Sequence, residues 1–195
     1  MITINKKFKE EEIALLKNLI GKKIVKIKHD EFWQSNSVYL RVSFYTDDGK
    51  IYQLKNKVEG LDFLWGPEDV AVFSFKECEE KDTGPFFTKG EVPKIISTPI
   101  NLEVKDIVII NDKVKAYDGN NQFGEYDYVK GIIVKFEGFE YLFHRSIWFS
   151  DDIIVDRGTE TVERLSPIDE DWGDWSKPRH SVNTREFISL INLDN

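Results

Sequence analysis

Hydrophobic and polar residues alternate along most of this chain, and that alternation constrains the fold more than any other feature of the sequence. After Gly21 the apolar period changes from about 3.6 residues to 2, the period of a strand with one buried face. These segments are rich in β-branched and aromatic residues, which suit a pleated sheet. The pattern predicts strands at residues 24–27, 38–45, 50–54, 70–75, 107–110, 128–136, 139–149 and 153–155, with tight turns at 46–49 and 137–138.

Residues 5–21 are predicted to form a helix ahead of the strands. Asn5 is a suitable N-cap, three glutamates follow at 10–12, and Gly21 comes after the last apolar residue. The apolar residues between them recur at helical spacing, which is typical of a stripe packed on a core. Residues 184–193 fit either a helix capped by Thr184 or a closing strand, and we prefer the helix.

Two stretches of the chain resemble each other at a constant offset. Trp148 lies 83 residues after Trp65, and Ile107 lies 83 residues after Ile24. The tryptophans open matching segments, LWGPEDVAV at 64–72 and IWFSDDIIV at 147–155, each with an acidic pair. A hairpin lies between the two anchors in each half, and the second half has a longer first loop at 111–127. We interpret the pattern as an internal duplication.

The predicted fold class is therefore α+β and β-rich, with an N-terminal helix and two similar antiparallel β-units packed together. Units of this size have small cores, so each is expected to need the other. Residues 1–75 hold the helix and first β-unit, 76–93 a charged linker with Gly and Pro, and 94–170 the second β-unit. Residues 171–195 hold an aromatic and acidic segment and the terminal helix or strand.

Composition indicates a soluble cytoplasmic protein. Cys78 is the only cysteine, so no internal disulfide can form, and its acidic neighbours disfavour the reactive thiolate. The first residues lack the apolar core of a signal peptide, and no stretch is apolar enough to span a membrane. The richness in Lys, Ile and Asn hints at a bacterial source with AT-rich DNA.

The net charge of −8 is concentrated in one part of the chain. Residues 150–174 carry nine acidic and two basic residues, whereas residues 1–57 carry twelve basic and seven acidic ones. An acidic field of this kind disfavours nucleic acid and favours a basic protein partner.

Motifs for catalysis or cofactor binding are absent from the sequence. The three histidines, His29, His144 and His180, do not have the spacing of a metal site, and no nucleophile elbow or phosphate-binding glycine pattern occurs. We therefore predict no catalytic residue, no metal site and no cofactor, and we favour a non-enzymatic protein.

The stretch EDWGDWSKPRH, which begins at Glu170, is the strongest candidate for an interaction surface. Tryptophans surrounded by carboxylates can anchor a basic partner, although both could instead cover the core of the second unit. The predicted interaction residues are Asp169, Glu170, Asp171, Trp172, Asp174 and Trp175. The hypothesis is a protein-binding module resembling, at the level of class, an immunity or antitoxin protein.

The alternative hypothesis is a small-ligand-binding protein or enzyme with its pocket between the two β-units. Aromatic clefts between packed units are common ligand sites. The candidate pocket residues are Tyr141, His144, Arg145 and Trp148.

Overall fold

The computed structural model describes residues 1–32, 34–63, 66–84, 94–168 and 179–193. Strands make up most of these residues, and the described part has one α-helix, so the fold is mostly β rather than the expected α+β. The helix α1 spans Glu10–Lys17, and short 3-10 helices span Glu80–Thr83, Thr161–Arg164 and Leu190–Asn192. The strands are β1 (Ile2–Lys6), β2 (Lys23–Asp30), β3 (Ser37–Tyr39), β4 (Arg41–Thr46), β5 (Ile51–Phe63), β6 (Gly66–Cys78), β7 (Ile95–Glu103), β8 (Asp106–Asp118), β9 (Asn121–Phe136), β10 (Phe139–Arg145), β11 (Asp152–Gly158) and β12 (Arg179–Ser189).

The larger sheet has seven strands. Six of them follow the order β12-β8-β9-β10-β11-β3, each antiparallel to its neighbours. The seventh, β1, runs parallel to the first half of β9, where Ile2 pairs with Gly124. Since β8 occupies one edge of β9, β1 and β10 share the other edge, and β10 takes it over at Gly131.

The smaller sheet has five antiparallel strands in the order β6-β5-β4-β2-β7. Its arrangement matches that of the larger sheet. In each, four strands form a meander, β2-β4-β5-β6 or β8-β9-β10-β11. The next strand after a 3-10 helix then returns to pair with the first strand, as β7 does with β2 and β12 with β8.

Each sheet contains strands from the other predicted unit. β7 lies after the predicted linker but belongs to the smaller sheet, where Asp30 pairs with Ile95. β3 lies in the predicted first unit but pairs with β11, with Val38 opposite Ile153. This exchange of strands ties the two sheets together through backbone hydrogen bonds.

The helix is shorter than predicted because residues 2–6 form a strand. Asn5 pairs with Asp127 in the larger sheet, and the residue that precedes the helix is Lys9 rather than Asn5. The Glu12 carboxylate accepts the backbone N–H of Lys9 at 2.8 Å, which satisfies one of the open donors at the helix start. Its other oxygen accepts the N–H of Phe75 at 2.9 Å, so the same carboxylate fastens α1 to the edge of β6.

The preferred helix at 184–193 is wrong. β12 runs from Arg179 to Ser189 and pairs with β8 along its whole length, and a 3-10 turn follows. The Arg185 guanidinium contacts the fully buried Asp112 carboxylate on β8 at 2.7 and 2.8 Å. As a strand, the segment gains backbone hydrogen bonds to β8 and the Arg185–Asp112 contact, which a helix separate from the sheet would lack.

Residues 76–84, the first part of the predicted linker, are folded against the smaller sheet. β6 continues to Cys78, and the 3-10 helix that follows is held by side chains of the smaller sheet. Arg41 donates to the carbonyl of Asp82 at 3.0 Å, and Tyr45 donates to the Thr83 hydroxyl at 2.9 Å. Residues 85–93 lie outside the described part of the chain.

The remaining predicted strands are present with different ends, whereas β7 lies where no strand was predicted. The predicted strand 38–45 is interrupted at Leu40, whose φ of 68° separates β3 from β4. The expected loop at 111–127 is instead a long β8–β9 hairpin that turns at Gly119. The predicted turns at 46–49 and 137–138 are present, with Gly49 and Gly138 at positive φ.

The two sheets and the helix share one main hydrophobic core. Phe44 of the smaller sheet meets Phe143 of the larger sheet edge to face, with 5.2 Å between ring centroids. Leu16 and Leu19 contribute fully buried side chains from α1 and the turn after it. A second cluster lies at one end, and it includes Val70, Tyr126 and Tyr128.

Candidate functional site

The predicted interaction segment falls outside the described residues. Asp169, Glu170, Asp171, Trp172, Asp174 and Trp175 all belong to it. The described chain resumes at Arg179 in β12. The role predicted for this segment stays a prediction.

The four predicted pocket residues lie in three different environments. Tyr141 lines a cavity between the two sheets, and His144 lies behind that cavity, bonded to Asp156. Arg145 is in the interior, and Trp148 lines a separate groove. The structure therefore brings only Tyr141 and His144 to the same site.

The cavity between the sheets, here called the seam cavity, has a volume of about 260 Å³. β2 and β7 supply one wall, and β10 and β11 supply the other. Its lining residues are Ile27, His29, Phe32, Ser35, Asn36, Thr98, Tyr141, Val155, Asp156, Arg157 and Arg164.

His29 is the buried titratable group of the smaller-sheet wall. Burial lowers the pKa of its imidazole, against a weaker opposing effect of the Asp30 carbonyl. Nδ1 lies 2.6 Å from that carbonyl oxygen, which can only accept, so in the neutral ring the proton is on Nδ1. Nε2 is then a hydrogen-bond acceptor, and it has no hydrogen bond with a described residue.

Asp156 is the charged centre of the opposite wall. Its carboxylate accepts from His144 Nε2 at 3.1 Å and from the Asn36 amide at 3.1 Å, and Arg164 lies 3.7 Å away. The hydrogen bond from His144, ahead of the other contacts, holds the pKa of Asp156 below its ordinary value despite partial burial. The carboxylate is thus ionised at neutral pH and largely occupied by protein donors.

Arg157 and Tyr141 complete the polar lining. Arg157 is exposed at the cavity, and its guanidinium has no hydrogen bond or ion pair with a described residue. Tyr141 is only 6% exposed, and its hydroxyl likewise has no hydrogen bond with a described residue. The seam cavity therefore offers donors that the described chain leaves unused.

Arg145 is a structural residue of the interior rather than a ligand contact. It is 1% exposed, its guanidinium carbon lies 4.0 Å from the centre of the Tyr128 ring, and Nη1 donates to the carbonyl of Ala71. Ala71 also donates its N–H to the carbonyl of Trp148 at 2.8 Å. Arg145 and the residues after it thus bind the larger sheet to the edge strand β6.

The second candidate site is an open groove of about 770 Å³, here called the acidic groove. The end of the β5–β6 hairpin forms one side, and the turn after β10 forms the other. Its lining residues are Gly60, Leu61, Asp62, Pro67, Glu68, Asp69, Trp148 and Phe149. Of these eight described lining residues, three are carboxylates and none is basic.

An aromatic pair faces these carboxylates. Trp148 and Phe149 meet edge to face with 5.2 Å between centroids, and Phe149 is 51% exposed. Trp148 is half-buried and also packs on the second hydrophobic cluster, which fixes its position. The groove thus combines the acidic pair of the first repeated segment with the tryptophan of the second.

Cys78 is a poor nucleophile in the structure mainly because it is partly buried, rather than because of its acidic neighbours in sequence. Burial raises the pKa of its thiol, and Asp82 adds to the effect. The thiolate is therefore disfavoured at neutral pH.

Sequence reasoning missed most of the two sites. His29 on β2 is far in sequence from Asp156 and Arg157 on β11, and no local pattern connects the two strands. Glu68 and Asp69 were visible in the repeated segment, but nothing in the sequence placed them opposite Trp148.

Other site types find no support in the described residues. They contain no group of three or more His, Cys, Asp or Glu side chains arranged to hold a metal ion. None of the helices in the described ranges has the length and apolar character needed to cross a membrane. Comparison of the chain with protein-family models, curated proteins and solved structures gives no match.

Proposed function

We propose that this protein is a non-enzymatic protein-binding module that holds a basic segment of a partner protein in the acidic groove. Immunity and antitoxin proteins are the class that it resembles in this respect. The observation that supports the proposal is the lining of the groove. Its three carboxylates, Asp62, Glu68 and Asp69, lie with the half-buried Trp148 and the exposed Phe149, and no described lining residue is basic.

The chemistry of the groove suits an arginine or lysine side chain. A cation over an aromatic face gains about 0.5–2 kcal/mol, and the opposing carboxylates can pair with the same cation. Asp62 and Asp69 have no ion pair with a described residue, so they are available to a partner. The nearest ion pair on β5 joins Glu59 to Lys6 at 3.0 Å, and Glu59 is not part of the lining.

The whole chain favours such a partner. Its net charge of −8 attracts a basic protein over long range and repels nucleic acid. The segment from Asp169 to Trp175 has the same combination of carboxylates and tryptophans, and we propose it as a second contact for the same partner.

An NMR titration tests the groove directly. The labelled full chain is titrated with a peptide of arginine–glycine repeats and, separately, with the same peptide carrying glutamate in place of arginine. We expect the basic peptide to shift the amide signals of 60–62, 68–69 and 148–149, and the acidic peptide to leave them unchanged.

Variants separate groove binding from general charge attraction. Asp62→Asn with Asp69→Asn should weaken binding by roughly three- to tenfold, the range expected for two surface ion pairs. The control variant Glu137→Gln with Glu186→Gln removes two exposed carboxylates elsewhere and should have a smaller effect. Equal effects of the two double variants, or shifts spread over the whole surface, would contradict the proposal.

The aromatic contribution is tested with Phe149→Ala. This change should weaken binding of the basic peptide by roughly fivefold or more, because exposed aromatic residues often carry binding energy. Phe187→Ala on β12 is the matched control, since Phe187 is 48% exposed and lies outside the groove.

A cellular assay tests the class of protein. If the chain neutralises a basic toxin, expression of the adjacent gene's product should be toxic alone and harmless when the chain is expressed with it. Toxicity that is unchanged by the chain would contradict the immunity-like role.

We also propose that the two halves arose by duplication. The matching strand order of the two sheets supports this, as does the constant offset between the tryptophan segments. A single copy would then lack the acidic groove, because the two sides of the groove come from different copies.

A further inference from the structure

The seam cavity is separate from the acidic groove and has the opposite charge. No described residue lines both sites. Arg157 and Arg164 are both cationic, whereas Asp156 is the one carboxylate among the described lining residues. In a chain of net charge −8, this is a locally positive site.

We propose that the seam cavity binds a small organic anion that carries a carboxylate or phosphate group at one end and a hydroxyl or N–H group within the cavity. The site would be independent of partner binding in the acidic groove.

The arginines account for the anionic end of the ligand. Arg164 is partly engaged, since it lies 3.7 Å from Asp156 and donates to the carbonyl of Arg157 at 3.0 Å. The Arg157 guanidinium has no such contact with a described residue, and its planar donors match a carboxylate or phosphate. Asp156 does not compete strongly for it, because His144 and Asn36 already donate to that carboxylate.

The buried polar atoms account for the other end. His29 is 7% exposed and Tyr141 is 6% exposed, and both line the cavity. His29 Nε2 can accept a hydrogen bond, and the Tyr141 hydroxyl can donate or accept one. Both groups line the cavity, so a ligand that carries a hydroxyl or N–H can form hydrogen bonds with them there.

Size and apolar lining restrict the body of the ligand. A volume of about 260 Å³ lies just below the roughly 300–1,000 Å³ of ordinary ligand pockets, so it suits a small molecule. Ile27, Val155 and the ring of Phe32 offer apolar contact to a planar ring, and Phe32 is 4.8 Å from the His29 ring. We therefore use a phenolic acid as the test molecule.

Calorimetry and NMR on the full chain test the site. The probes are 4-hydroxybenzoate, its neutral analogue 4-hydroxybenzamide, phenyl phosphate and inorganic phosphate. We expect saturable binding of at least one anionic probe with shifts at 27–29, 141 and 155–157, and at least tenfold weaker binding of the neutral amide. Binding of inorganic phosphate alone would identify free phosphate as the source of the anion and would overturn the organic part of the proposal.

Arg157→Gln is the decisive variant, because the side chain is exposed and its loss should not unfold the protein. We expect it to weaken binding by roughly tenfold or more, as for the loss of a charged hydrogen bond. The control Arg179→Gln removes an exposed arginine on β12 and should leave binding unchanged. No saturable binding of any probe, or equal effects of the two variants, would overturn the proposal.

The acidic-groove variant distinguishes failure of this proposal from failure of the proposed function. Asp62→Asn with Asp69→Asn should leave anion binding in the seam cavity within about twofold of the unmodified chain, because neither residue lines the cavity. An effect as large as that of Arg157→Gln would show that the anion binds elsewhere.

Discussion

Arg145 and His29 show that a buried polar residue in this protein can have either of two roles. Arg145 has a backbone carbonyl and an aromatic ring as partners, so it stabilises the contact between the sheets. His29 has one nitrogen bonded and the other directed to no described residue, so it is available to a ligand. From the sequence alone the two roles cannot be distinguished, because both residues are polar residues in apolar strands.

Replacing Arg145 should therefore destabilise the fold rather than change ligand binding. We expect Arg145→Ala to lower the free energy of unfolding by roughly 3 kcal/mol, because it opens a cavity and leaves the Ala71 carbonyl unpaired. Arg145→Met, which keeps more volume, should cost less. Urea unfolding measures both, and Arg179→Ala on the exposed face should stay within about 0.5 kcal/mol of the unmodified chain.

His29 should make stability depend on pH below its ordinary pKa of 6.5. Burial lowers the folded-state pKa, so as pH falls through 6.5 the unfolded chain takes up a proton before the folded chain does. The charged groups that face it across the cavity are Asp156, Arg157 and Arg164, and Asp30 is its neighbour on β2.

The urea midpoint should fall between pH 7.5 and pH 5.5, and should fall less in His29→Gln than in the unmodified chain. His180→Gln is the control, because His180 is exposed. Identical pH profiles for the unmodified chain and His29→Gln would contradict this. Asp156 acts at lower pH, since its stabilising effect is present above its ordinary pKa of 3.8 and is lost below it.

At the scale of single elements, β9 carries the greatest constraint because three strands pair with it. Gly131 marks the point where β10 takes over the edge from β1. A Cβ at this position would lie 2.4 Å from the carbonyl oxygen of Phe143 and 2.7 Å from the Cβ of His144. The two strands can approach this closely only with glycine.

Gly131→Ala should lower the free energy of unfolding by roughly 2–3 kcal/mol, the cost of overpacking against backbone that cannot move freely. Gly84→Ala is the matched control, because an added Cβ there meets nothing within 4 Å and its φ of −66° suits alanine. Thermal unfolding followed by circular dichroism compares the two, and equal melting temperatures would contradict the prediction.

Elements with a clear local pattern could be predicted from the sequence, and elements defined by distant partners could not. The alternation located most of the strands and the two hairpin turns, because it depends only on which residues are buried, but it did not predict β1 or β7. The strand at 179–189 was predicted only as the less favoured alternative to a helix, because its apolar residues fit both and only pairing with β8 decides between them. At the seam cavity, the sequence analysis predicted Tyr141 and the neighbouring His144. It did not predict His29 and Arg157, because only the packing of the two sheets brings them to the cavity.

At the scale of the whole molecule, the charge distribution relates partner binding to stability. The proposed binding function uses the carboxylates of Asp62, Glu68 and Asp69, which line one groove whose described residues include no basic side chain. Carboxylates arranged in this way repel each other in the unbound protein. A basic partner would relieve that repulsion. The free protein should therefore have a lower free energy of unfolding than the same protein with the groove carboxylates neutralised.

Neutralising the groove should therefore raise the melting temperature of the free protein. We expect Asp62→Asn with Asp69→Asn to increase it at low ionic strength and to have little effect at high salt, where charges are screened. The comparison is a thermal melt of the double variant and of Glu137→Gln with Glu186→Gln at both salt concentrations. A larger increase in the control variant would show that the groove is not under special repulsion.

The parallel strand β1 has a consequence for how the chain is made. Ile2 pairs with Gly124 and Lys6 with Tyr128, so β1 emerges from the ribosome long before its partner has been synthesised. During that interval its open edge could pair with other chains, a hazard of unpaired strands in slowly folding β proteins. Chaperone demand during translation should accordingly persist until β9 has left the exit tunnel.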